Sequence, residues 1–143
     1  EALAAAVAAA PVVGLWSAGD DRGSFAVVGD AGTSEVAWYG SRHKDDRIFR
    51  PGDQDSADEA SAGKAVFLAA KVRDHLEVEA VRLRLRVSSE RIDGVKLADL
   101  AAKKQVILDL EVTPAGNPAE QWCLEPGYGE WRAIRLSDLV VAE

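Results

Sequence analysis

Apolar and polar positions alternate or cluster in short blocks along most of the chain. Val12 to Trp16 is a compact apolar run, β-branched and then aromatic, and reads as a strand. Phe25 to Val28 and Glu35 to Tyr39 are two more short strand patterns. The turn-forming stretches Ala18 to Gly23 and Gly29 to Gly32 separate the three. Together they predict an antiparallel meander. A helical period follows. Ser56-Ala57-Asp58-Glu59 has the form of a capping box and opens a helix over 57–74, with Val66, Phe67, Ala70 and Val72 facing inward. Gly63 falls inside that helix and predicts close packing against another element.

From Leu76 to Val87 the alternation is the most regular in the chain, but its phase slips once. Leu76, Val78 and Ala80 share one face; Val81, Leu83, Leu85 and Val87 then take the odd positions. A period of two absorbs such a slip only through a bulge, which predicts one long bulged strand near 76–87. A short helix over 95–104 carries Leu97, Leu100 and Ala101 inward, and Val106 to Val112 is a strand. Gln121 to Leu124 and Glu130 to Leu136 read as a hairpin around Glu125 to Gly129, and Leu136 to Val141 as a last strand or packed tail. Glu1 to Ala10 reads as a short alanine-rich helix ending at Pro11. The expected fold is a single α+β domain over 1–143. Its mainly antiparallel sheet has six to seven short strands and is packed by the long and the short helix. The irregular loop 40–55 is the one candidate sub-boundary.

Composition narrows the function without naming it. The 143 residues are 48% hydrophobic and 29% charged, the proportions of a globular chain with a core of its own. No apolar run reaches the ~20 residues of a membrane span. A net charge of -7 opposes non-specific binding to nucleic acid and to anionic membrane surfaces. One cysteine, Cys123, excludes an internal disulfide, and with His43 and His75 it is too few for a paired-cysteine zinc site. A reducing, cytoplasmic setting is preferred on that count. The alanine-rich composition with arginine exceeding lysine suggests a bacterial source. The absence of methionine marks the chain as processed or as an excerpt.

Three constellations carry candidate chemistry. Arg82, Arg84 and Arg86 alternate on one strand face, about 6.8 Å apart. They are placed either to grip an acidic partner or to pair across the sheet with Asp109 and Glu111. Asp109 and Glu111 share one face of their strand. The wording from Val106 to Thr113 resembles the first motif of the proofreading-type exonucleases. That resemblance implies a carboxylate pair holding two magnesium ions. In those enzymes the motif opens the fold, whereas here only the residues to Glu143 follow. The loop group His43, Asp45 and Asp46, with Asp53 and Asp55, has acids and a histidine but not calcium-loop spacing. Cys123 lies between Trp122 and Leu124 and reads as buried and inert. No nucleophile elbow and no phosphate-binding glycine loop is present.

No catalytic set, metal site or cofactor is therefore assigned. The expected function is a non-catalytic protein-interaction module, a subunit or adaptor of a bacterial assembly. Arg82, Arg84, Arg86, Trp38 and Trp131 are its candidate contact residues. The alternatives are a small metal-dependent hydrolase or nuclease using Asp109 and Glu111, and a ligand-binding sensor domain.

Overall fold

A computed structural model describes residues 10–41 and 48–141. The predicted helix at Glu1 to Ala10 and the loop acids Asp45 and Asp46, with His43, lie outside the described residues, Ala10 excepted. One six-stranded sheet forms the centre. Its path is β3 (Ala37–Ser41), β2 (Ser24–Gly29), β1 (Val12–Gly19), β4 (Val81–Val87) and β5 (Val106–Val112). β6 (Val140–Val141) pairs with the first residues of β1.

The sheet is mixed, not mainly antiparallel. β1–β2, β2–β3 and β1–β6 are antiparallel; β1–β4 and β4–β5 are parallel. The cause is the connections. Short glycine turns join β1 to β2 and hold them antiparallel, whereas a helix precedes β4 and another precedes β5. A helical crossover returns the chain to the end where the previous strand began.

Those helices are α1 (Gln54–Leu76) and α2 (Gly94–Ala102). α1 starts three residues before the expected position. Asp53 is the N-cap, its carboxylate accepting the Ser56 amide at 3.1 Å, while the Ser56 hydroxyl accepts the Arg50 amide. At its other end α1 continues to Leu76 and stops at Glu77, which adopts the left-handed conformation (φ 56°). The expected bulge therefore does not exist. Leu76 belongs to the helix, Val78 to Ala80 to a turn, and β4 is a regular seven-residue strand. The phase slip is the boundary between two elements.

α1 and α2 cover one face of the sheet. Val13, Leu15, Val27, Leu83, Leu85 and Val106 meet Ala62, Ala65, Val66, Leu68, Ala69 and Val72 of α1, with Leu97 and Ala101 of α2 in the same core. The expected hairpin after Gln121 is instead a helix, α3 (Pro118–Cys123), followed by 3₁₀ turns at Trp131–Ala133 and Leu136–Leu139. Asn117 caps α3 and Pro118 occupies its first turn, where a missing N–H costs nothing. α3 lies on the opposite sheet face and covers β1 to β3 through Ala18, Ala26, Val28, Ala37 and Ala119. Leu136 to Val141 does end in a short strand. No helix among the described residues is long and apolar enough to cross a membrane.

Candidate functional site

The candidate contact residues divide between the two faces of the sheet. Arg82, Arg84 and Arg86 stand on the face opposite α1, in register with Ile107, Asp109 and Glu111 of β5. Arg86 is held from three sides. Glu111 is 3.6 Å away, Asp30 3.9 Å, and the Trp16 ring lies 5.0 Å beneath its guanidinium. Cross-strand pairing thus accounts for Arg86, and Arg84 faces Asp109 in the same ladder. Asp109 and Glu111 stand on this ladder and line none of the hollows described below.

Trp38 and Trp131 are brought together on the α1 side. Trp38 sits on β3, its ring 5.3 Å from Phe25 and 5.9 Å from Phe67 of α1. Phe67 in turn meets Trp131 edge-to-face at 5.6 Å. Four rings from four elements form one chain across the flank of α1. Lys64 lies over Phe25 and Trp38, Lys71 over Phe67 and Trp131, and Arg132 over Trp131. These are cation–π distances.

Beside the rings runs a groove. One hollow of about 400 Å³ is lined by Trp38, Phe67 and Trp131, and it shares Ile48, Gly63 and Leu100 with a second hollow of about 750 Å³ that reaches Ile92 and Val95 of the α2 region. Val95 is 76% exposed, Ile48 40% and Leu100 36%, so three exposed large apolar side chains of the described residues lie along one path. Gly63 forms part of its floor. A Cβ at Gly63 would meet nothing within 4 Å, which overturns the expectation of close packing there. The glycine leaves space that no other part of the described structure fills.

A third hollow, about 740 Å³, opens where β1 and β4 end. At β1 the strand order reverses: β2 and β3 follow it on one side, and β4 and β5 come after α1 on the other. Carboxyl ends of strands at such a reversal are the usual ligand crevice of open α/β sheets. Asp20, Asp55, Asp58, Glu90 and Glu120 line it, with Arg91 3.5 Å from Asp55. Burial pushes the Asp58 carboxyl above its ordinary value. Gln54 and the Gly19 amide oppose that push by hydrogen bonding, and the charges of Asp55 and Glu120 add to it. Among the described residues no three His, Cys, Asp or Glu side chains are grouped to hold a metal ion. Cys123 is half-buried at the end of α3 on this wall, its Sγ 3.4 Å from the Ala18 carbonyl, and not in a strand.

A raised acid pKa has a definite sign. The folded chain binds the Asp58 proton more tightly than the unfolded chain does. Asp58 thus opposes folding once the pH rises through its raised value, and ceases to do so below its ordinary one. Asp58→Asn keeps an acceptor for Gln54 and Gly19. It should raise the melting temperature at neutral pH, and the gain should vanish at acid pH when both proteins are melted across that range. An unchanged melting temperature at neutral pH would show that solvent relieves the charge.

Sequence reasoning named the two tryptophans without their juncture, and it missed the crevice. The crevice had one local signal, the Asn117-Pro118 helix start that brings Glu120 and Cys123 over the end of β1. No protein-family model, curated protein or solved structure matches this chain, so its functional reading rests on these residues.

Proposed function

We propose that the chain is a protein-docking module whose groove beside α1 takes an amphipathic segment of a partner protein. The observation that carries this reading is the alignment of Trp38, Phe67 and Trp131 with Ile48, Leu100 and Val95 around a glycine-floored hollow. Tryptophan set in a ring of apolar side chains is a common anchor of protein interfaces. An open groove at a helix flank suits aliphatic or aromatic anchors at helical spacing. Lys71 and Arg132 border the ring end over Trp131, so the partner segment carries acidic residues toward that end and apolar anchors toward α2.

Gly63 separates binding from folding. Glycine inside a helix costs about 0.5–1 kcal/mol relative to alanine. Gly63→Ala should therefore raise stability by about that amount. Gly63→Leu should also leave the fold intact while its side chain fills the groove. The test begins by placing a photo-crosslinking side chain at Val95 and identifying the adduct formed in an extract of the source cells. The purified adduct partner is then titrated while tryptophan emission is followed. Expected is a change in Trp38 and Trp131 emission with wild type, and at least a tenfold weaker affinity with Gly63→Leu and with Leu100→Glu. Equal affinity for all three proteins would overturn the reading.

A further inference from the structure

The outer edge of β5, on the far side of that strand from β4, lies apart from the groove's aromatic end. β5 pairs with β4 on one side and, among the described residues, with no strand on the other. The register fixes which of its backbone groups are free. The Val81 amide donates to the Gln105 carbonyl and the Thr113 amide to the Val87 carbonyl. In a parallel ladder these two bonds are the ends of one repeat of period two. The odd residues of β5 thus point their N–H and C=O groups inward to β4, and the even ones, Leu108, Leu110 and Val112, point theirs outward. Such an edge is a template for one more strand.

The side chains say what that strand carries. On the face away from α1, Asp109 and Glu111 are exposed, and among the described residues the strand beside them is the arginine-bearing β4. On the α1 face Leu108 and Leu110 are partly buried, and Val112 is 42% exposed. Strand faces are shared by both edges, so a strand added outside β5 meets the same alternation that β4 meets inside. The inner partner is Val-Arg-Leu-Arg-Leu-Arg-Val, basic against the acids and apolar against the apolar face. We propose that β5 accepts, by strand addition, an extended protein segment that alternates apolar and basic residues. A second copy of the chain fits poorly. Two β5 strands paired about their centre would set Asp109 against Asp109.

The test uses a fluorescent peptide of that sequence, Val-Arg-Leu-Arg-Leu-Arg-Val. Its controls are an acidic counterpart with glutamate for arginine, and basic versions N-methylated on alternate residues in either phase. Anisotropy titrations against the intact chain should show saturable binding of the basic peptide. Binding should be lost for the acidic peptide and for one of the two N-methylated phases, and weakened about tenfold by Asp109→Asn with Glu111→Gln, both exposed positions. Gly63→Leu should leave it unchanged, which keeps the result separate from the groove. Equal binding of both N-methylated peptides would mean ionic adhesion to an acidic protein and would overturn the proposal. So would no binding, or a chain dimer in sedimentation whose formation excludes the peptide.

Discussion

Replacing Asn117 with alanine should cost about 2–4 kcal/mol of stability, although the residue belongs to neither hydrophobic cluster. Asn117 is buried, 4% exposed, and its amide serves three segments at once. The nitrogen donates to the Ser17 carbonyl at 3.0 Å and to the Ser88 hydroxyl at 3.1 Å, while the oxygen accepts the Ala119 amide at 2.9 Å. The first contact reaches the end of β1, the second the residue after β4, and the third caps α3. Loss of a cap costs about 1 kcal/mol. A buried acceptor deprived of its donor adds about 1–3 kcal/mol. For a chain of this length the sum corresponds to a fall in melting temperature of roughly 6–12 °C. Asn117→Ser separates the two parts, because serine still caps a helix but is too short to reach both strands. Urea unfolding should rank wild type above Asn117→Ser, and Asn117→Ser above Asn117→Ala, at constant m. A loss below about 1 kcal/mol in the alanine variant would mean that α3 is held by Trp122 and the small-residue contacts alone. Trp122 does contribute, its indole donating to the Gly32 carbonyl at 3.0 Å.

The same residue shows where the sequence was readable. Elements with a sustained period were found: β1, β2, α1, α2, β4 and β5 all follow their hydrophobic patterns. What failed was short or non-local. α3 has six residues, fewer than two turns, so no period of 3.6 can establish itself. Gln121-Trp122-Cys123-Leu124 taken alone has strand-like composition. The cap and proline at Asn117-Pro118 outweighed it, because an N-cap acts on donors that any helix start exposes. Leu76, Val78 and Ala80 mimicked a strand by coincidence of spacing, and the left-handed Glu77 between them left no mark in the pattern. Parallel pairing was hidden as well. β4 and β5 keep a polar face because, among the described residues, no helix covers it, so they alternate like antiparallel strands although they pair in parallel. The convergence of Trp38 and Trp131 on Phe67 depends on where the chain after α3 meets β3, and alternation does not encode that.

Gly129→Val should undo that crossing. The segment after α3 runs against β3 through two backbone bonds. The Tyr39 amide donates to the Gly129 carbonyl at 3.0 Å and the Gly129 amide to the Tyr39 carbonyl at 2.9 Å. The approach is so close that it excludes a Cβ at one position on each side, Gly129 and Gly40. A Cβ at Gly129 would stand 2.8 Å from Tyr39 Cε1 and 3.0 Å from the Ala37 carbonyl oxygen. One at Gly40, whose φ is +152°, would stand 2.9 Å from Tyr128 Cβ. The ring of Tyr39 has little room to yield, since it rests against Trp122 at 4.9 Å, and the Ala37 carbonyl belongs to β3 itself. Forcing a branched side chain into such a contact costs about 1–3 kcal/mol. Here the cheaper response is for the segment to lift off. Trp131 lies two residues beyond Gly129 and would leave Phe67, so its emission should shift to the red and near-ultraviolet dichroism should fall while far-ultraviolet dichroism holds. The outer edge of β3 would be uncovered, and the variant should aggregate at concentrations where wild type does not. The groove would lose one wall with every other lining residue intact, so a partner bound there should dissociate from Gly129→Val as it should from Gly63→Leu. The two variants reach that result from opposite directions, one with a loosened fold and the other with a firmer one. A Gly129→Val protein that bound normally with unshifted Trp131 emission would show that the ring cluster is held from α1 rather than from the crossing.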